Sequence, residues 1–232
     1  DNIKVHKLYG SLKIPGDKSI SHRALIMSSM CLGKSEIINL LEADDIKSTI
    51  RILEQLGIKI LKKGNKWFVF GNGTNGFMQP KKILNAENSG TSARTLIGAV
   101  SSNPISCTFT GDKSLSKRSM SRVTIYLEKL GAKIKLTNKD FLPLVIDGIQ
   151  HLIPQKIVIE KPSAQIKTSL IFAGLNMKGK LTIIEKVKTR DHTEKLLTYL
   201  NIKHKKRIYK NGSHSIELNG PYEITSKSIQ IA

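Results

Sequence analysis

Apolar residues fall at helical spacing through ALIMSSMCLGKSEI (24–37), with Ala24, Leu25, Met27 and Cys31 along one stripe and Gly33 as the stop. Two further segments of the same kind follow, TLIGAVSSNPISC (95–107) and SLIFAGLNMKGKLTI (169–183). Downstream of each comes a second shared phrase: LEQLGIKI (53–60), LEKLGAKI (127–134) and LTYLNIKH (197–204), recurring at roughly 70 residues. These phrases close helices predicted over Asp45–Leu56, Lys117–Leu130 and Thr189–Leu200, each ending near Gly or Asn as a C-cap requires. A strand-like stretch and turn then end each unit: FVFGNG (68–73), LVIDG (144–148) and IELNG (216–220). The pattern predicts an α/β (α+β) fold. One domain over 1–232 holds three pseudo-threefold βαβαββ repeats, at about 8–76, 83–150 and 155–222.

The repeat disposes of one decoy. GNGTNG (71–76) spells GxGxxG after a strand, but a dinucleotide site needs a helix to open there, and FMQPKK follows instead. No Walker GxxxxGK[ST] occurs. The six histidines show no zinc spacing, no serine sits in a GxSxG elbow, and Cys31 and Cys107 read as reduced core thiols. Neither a metal nor an organic cofactor is expected. No apolar run reaches membrane-spanning length and no signal leader precedes the fold, which predicts a cytoplasmic protein without a membrane partner. The chain starts at Asp1 without methionine and stops in the strand-like run Ile229-Gln230-Ile231-Ala232, so it reads as a fragment of something longer.

Charge changes the picture next. With 38 Lys+Arg against 18 Asp+Glu, the formal net charge is +20. Such an excess ordinarily points to nucleic acid or an acidic membrane. Here the lysines are dispersed and aromatics make up only 5%, too few to offer a base-stacking platform. Small polyanions are the better match.

The first helix of each unit opens with a polar segment instead of a plain cap: PGDKSISHR (15–23), AENSGTSAR (86–94) and EKPSAQIKTS (160–169). If the units pack around a threefold axis, three helix N-termini converge on one end of the domain. Their unpaired N–H groups and positive dipole ends favour anions. SKRSM (116–120) and TRDHT (189–193) add Arg118 and Arg190 at corresponding steps. Any one of these cations would ordinarily be a solvated surface charge; recurrence at one structural step argues for a shared rim. Asp44, Asp45, Asp191 and Glu194 are most simply helix caps and dipole partners. The result is half a site, with many anion holders and no general base.

PGDKSISHRAL, ENSGTSAR, GDKSLSKRSM, PSAQIKTSLIFAGL and TRDHTEKLL together resemble, in order and over nearly the whole chain, the signature segments of the 5-enolpyruvylshikimate-3-phosphate synthase family. The SAQ and TRDHT forms are similar to its divergent bacterial branch. The resemblance implies an enolpyruvyl-transferase-like fold with helices inside and sheets outside, of which this chain is the N-terminal domain. It implies a transferase that moves enolpyruvyl from phosphoenolpyruvate to the 5-hydroxyl of shikimate 3-phosphate and releases phosphate, as a monomer that binds no nucleic acid. By the same resemblance Lys18 touches both substrates, and Ser19 and Arg23 hold the shikimate carboxylate. Ser163, the backbone at Ala164, and Thr189 take the 3-phosphate, Gln165 bridges the ligands, and Arg190 lies along the ring. Gly90 and Arg118 grip the phosphate of phosphoenolpyruvate, with Asn88 and Arg94 supporting that loop.

Two features depart from the family pattern. Ser119 stands where proline is usual, which leaves Arg118 less constrained. The family's catalytic acid, base and lysine belong to its second domain, so no catalytic residue is assigned here and the chain alone is expected to turn over nothing. A sister UDP-N-acetylglucosamine enolpyruvyl transferase is one alternative, but Lys18-Ser19 replaces its Lys-Asn start and Arg118 occupies this chain's own motif. A basic nucleic-acid-binding domain is the other.

Overall fold

The computed structural model describes residues 9, 10, 12 and 14–232. Among the described residues, twelve strands form three four-stranded sheets around an interior of six α-helices. The second unit runs β4 (Leu84–Asn85), α3 (Gly90–Ser101), β5 (Ser106–Thr110), α4 (Ser121–Lys129), β6 (Lys133–Thr137) and β7 (Phe141–Asp147). The third repeats it with β8 (Lys156–Ile159), α5 (Ala164–Leu175), β9 (Gly179–Glu185), α6 (His192–Tyr199), β10 (His204–Ile208) and β11 (His214–Gly220). Their sheets have equivalent orders, β4-β5-β7-β6 and β8-β9-β11-β10, with the first pair parallel and the rest antiparallel.

The first unit departs from the expected boundary. It contains α1 (Lys18–Ser29), β1 (Leu32–Ile38), α2 (Asp44–Gln55), β2 (Lys59–Lys63) and β3 (Lys66–Asn72). The expected start at residue 8 lies outside the described residues, and the described residues before α1 form no strand. The opening strand is supplied by β12 (Ser228–Gln230), parallel to β1 with Ile229 opposite Ile37. The apolar run at the end of the sequence thus completes the first sheet. Its backbone also reaches the base of α1, where the Asp17 amide donates to the Ala232 carbonyl at 2.9 Å.

The helices divide into two kinds. In α1, α3 and α5 nearly every residue is buried, small and polar ones included, which suits central helices enclosed on all sides. Gly98 lets α3 and α5 approach: a Cβ there would sit 2.1 Å from the Ser169 carbonyl oxygen. By contrast α2 and α4 bury one face and expose the other. Outside them the sheets alternate, as Leu142, Leu144 and Ile146 of β7 point inward between exposed neighbours. GNGTNG closes β3 with a turn and no helix opens until Gly90, so the glycine motif is a unit-ending turn.

Candidate functional site

The first helices start where the polar segments predict. Asp17 caps α1 by accepting from the Ile20 amide at 2.7 Å, Ser89 caps α3 through Ser92, and Ser163 caps α5 through Ile166. Among the second helices α2 opens at Asp44, close to expectation, but α4 and α6 start later than the periodicity predicts, and this correction matters for the site. Leu115–Lys117 form a short 3-10 turn, and Arg118 is extended at φ −95° and ψ 130°. α4 opens only at Ser121, where the Asp140 carboxylate accepts from the Ser119 hydroxyl at 2.6 Å and from the Ser121 hydroxyl and amide. These bonds hold the Asp140 carboxyl below its ordinary range. They anchor Ser119 where proline would otherwise restrict the backbone. α6 likewise opens at His192, leaving Thr189 and Arg190 on the preceding segment. Arg118 and Arg190 therefore sit on the connections that precede α4 and α6 rather than in helices.

Two clusters result. Around the start of α3, Arg118 Nη2 donates to Asn88 Oδ1 at 2.7 Å and to Ser114 Oγ at 3.1 Å, while Asn88 Nδ2 donates to Asp112 at 2.7 Å. Arg94 donates to Gln165 Oε1 at 3.1 Å and to the Ser119 carbonyl at 3.0 Å, and Gln165 Nε2 donates to Thr91 at 3.0 Å. Gly90 lies between the two arginines: a Cβ there would be 3.1 Å from Arg94 Nη1 and 3.5 Å from Arg118 Nη1. Its own amide is turned to the Asn88 carbonyl at 3.0 Å, so the glycine supplies room rather than a free donor. Burial and the neighbouring Arg122 and Arg118 lower the Arg94 pKa.

The second cluster joins α1, α5 and α6 through Arg23, which is 3% exposed. Its Nη1 donates to the Ser19 carbonyl at 2.8 Å, its Nη2 to Thr168 at 3.0 Å and the Ala164 carbonyl at 3.5 Å, and its Nε to Thr193 at 2.9 Å. Burial depresses its pKa to about 10, against the opposing pull of Glu194 and Asp17, so it stays charged at neutral pH. Lys18 is half-exposed and pairs with Asp45. Asp45 is not a cap, because Ala43 holds that position without a side-chain bond. Beneath them His22 is buried and bonded to Thr49 at 2.7 Å, and burial drives its pKa down to about 4. Thr189 donates to Glu185, and Arg190 is exposed.

Among the described residues, Arg23, Arg94, Arg118 and Arg190 make no salt bridge. Four guanidiniums outside any salt bridge, beside three capped helix N-termini, form a field suited to anions. No three His, Cys, Asp or Glu residues among those described are grouped to hold a metal ion. No helix among them is long and apolar enough to cross a membrane.

The family model for EPSP synthase (3-phosphoshikimate 1-carboxyvinyltransferase) matches residues 3–231. The chain belongs to the EPSP synthase family. A Bartonella quintana protein named 3-phosphoshikimate 1-carboxyvinyltransferase is 40% identical over 224 residues, which are 97% of this chain and 51% of that protein. A protein of the same name from Streptococcus agalactiae is 40% identical across 97% of this chain and 54% of its own length. A solved EPSP synthase from Acinetobacter baumannii superposes with a TM-score of 0.89 at 33% identity, covering 96% of this chain and 49% of that one. The chain spans about half the length of the relatives it matches. The mixed α/β architecture of three sheets and six helices is that of the family.

One constellation escaped the sequence reading. Lys167 is 2% exposed and pairs with both Glu185 and Glu194, so Glu194, in the first turn of α6 as expected, is also a buried ion partner. The signal was present, since a lysine inside the apolar run SAQIKTSLIFAGL must find a partner or leave the core.

Proposed function

We propose that this chain supplies one half of the site at which enolpyruvyl passes from phosphoenolpyruvate to the 5-hydroxyl of shikimate 3-phosphate. The observation that carries the reading is the group of arginines, Arg23, Arg94, Arg118 and Arg190, that make no salt bridge among the described residues. Both substrates are multiply anionic, and guanidinium forks match phosphate and carboxylate geometry. Arg118, aimed by Asn88 and Ser114, takes the phosphate of phosphoenolpyruvate, with Gly90 leaving space and Arg94 bracing the loop. Gln165, tied to Arg94 and Thr91, stands between the ligands. Ser19 and the remaining Nη1 donor of Arg23 hold the shikimate carboxylate. Ser163, Ala164 and Thr189 take the 3-phosphate, and Arg190 flanks the ring.

In this reading Lys18 does double duty. Its Asp45 partner holds the ammonium at the rim until anions compete for it. The transfer is an addition followed by an elimination. The 5-hydroxyl oxygen bonds to the central carbon of phosphoenolpyruvate as it gives up its own proton to a base, and a proton enters the methylene carbon. The phosphate then leaves as a proton is lost from the resulting methyl group. This chain's residues bind and orient the two phosphates and the carboxylate; the proton-transfer groups belong to the half of the enzyme beyond it. The protein functions as the N-terminal domain of a cytoplasmic monomer.

Titration calorimetry tests the reading. Shikimate 3-phosphate should bind saturably and more tightly than inorganic phosphate, a DNA oligomer should not bind, and phosphoenolpyruvate with shikimate 3-phosphate should yield no product. DNA binding with a steep salt dependence and no response to shikimate 3-phosphate would establish the nucleic-acid alternative instead. Enolpyruvyl transfer by the chain alone would refute the half-site.

A further inference from the structure

The Lys167 ammonium stands 2.7 Å from Glu185 Oε2 and 2.6 Å from Glu194 Oε1, with all three side chains in the interior. The other oxygen of Glu185 accepts from the Thr189 hydroxyl. One residue after Lys167 on α5 and one before Glu194 on α6, Thr168 and Thr193 share a 2.6 Å hydrogen bond and both meet Arg23. A single ammonium on α5 therefore ties down the last residue of β9, the segment 186–191 and the first turn of α6. Most of that segment is exposed, with no buried residue in 186–191. A cavity of about 170 Å³ lies against it, lined by Lys167, Glu185, Thr189, Glu194, Lys206 and His214. Burying three charges is an expensive way to join helix to strand, and apolar side chains of the same volume would serve stability as well or better. What the charges add is direction: they fix where the segment stands.

We infer that Lys167 is a positioning residue, which holds the segment between β9 and α6 so that Thr189 and Arg190 face the shikimate 3-phosphate side of the rim. The inference rests on the roles proposed above for Thr189 and Arg190. Arg190 has no salt bridge of its own among the described residues, so its position follows from the segment that carries it.

The test compares the unsubstituted chain with Lys167→Met and Lys167→Arg. Limited trypsin digestion reads the segment directly, because Lys186, Lys188 and Arg190 are exposed sites within it. In folded Lys167→Met, cleavage there should accelerate about tenfold while cleavage at Lys62 and Lys63, in the distant first sheet, stays constant. Affinity for shikimate 3-phosphate should fall about tenfold with inorganic phosphate binding at the Arg118 side unchanged, and Lys167→Arg should recover part of both losses. Unchanged cleavage in a folded Lys167→Met overturns the inference whatever the ligands do. Should Lys167→Met fail to fold, Glu185→Gln, which retains the Lys167–Glu194 pair, is judged by the same cleavage ratio. Failure of the unsubstituted chain to bind shikimate 3-phosphate counts against the proposed function, and the digestion still decides the role of Lys167.

Discussion

Ile231 offers a direct probe of how the end of the chain supports the proposed anion site. The side chain is 1% exposed and lies against the backbone that leads into α1; a Cβ at Gly16 would be 2.9 Å from its Cγ2. Its amide donates to Ile38 at 3.0 Å and its carbonyl accepts from Asn39 at 3.1 Å. Ile231→Ala removes three buried carbons, worth about 2.4 kcal/mol in transfer free energy alone. The unfilled cavity raises the loss to about 3 kcal/mol, within the usual range for such truncations. For a chain of this size that is a fall in melting temperature of roughly 6–12 °C. Thermal unfolding by circular dichroism, with the exposed neighbour Gln230→Ala at the end of β12 as the control, measures it. Because the Asp17 amide bonds to Ala232, shikimate 3-phosphate binding should weaken as well. A melting temperature within about 2 °C of the unsubstituted chain, or no larger a shift than Gln230→Ala gives, would show that the residues following β12 do not secure the backbone leading into α1.

Three other outcomes follow from the site and the core. Gly90→Ala should weaken phosphoenolpyruvate binding about tenfold by pressing on Arg94 and Arg118, while thermal stability holds or rises slightly because alanine favours the helix; calorimetry and a melting curve separate the effects. His22, whose pKa falls from 6.5 to about 4, stays neutral in the native state while the unfolded chain takes up a proton. Its contribution is therefore complete above pH 6.5 and lost as pH drops toward 4, by about 3 kcal/mol, so denaturant titrations should show a steeper acid loss than in His22→Gln. Burial pushes both Cys31 and Cys107 up to about 12, so a thiol reagent at pH 8 should label neither in the native chain and both in denaturant. Rapid native labelling would contradict their placement in the core.

The twin phrases GDKSISHR and GDKSLSKR show what local sequence can settle. In both, the aspartate at the second position accepts from the amide three residues on, Asp17 from Ile20 and Asp112 from Leu115, each at 2.7 Å. In both, an arginine stands six residues after that aspartate. Turn chemistry of this kind, the recurring apolar stripes and the capping serines depend on neighbours a few residues apart, so the repeat, the central helices and the polar helix starts were legible in the letters. The late starts of α4 and α6 were not. They depend on Asp140 reaching back to Ser119 and Ser121, and on Thr189 bonding Glu185, contacts that an apolar period does not register.

Long-range pairing decided the rest. Arg23 and Arg118 share a motif, yet one is clamped in the interior by Thr168 and Thr193 and the other stands at the rim on Asn88. Nothing within either phrase distinguishes them; the difference lies in which helices pack above. The partners of Lys167 are 18 and 27 positions away, and the opening strand of the first sheet comes from the far end of the chain. Sequence by itself determined which residues could carry charge to one end of the domain. Only the tertiary structure decided which of those charges are consumed in holding the helices together and which stay free for an anion, because that division depends on burial and on partners brought close by folding.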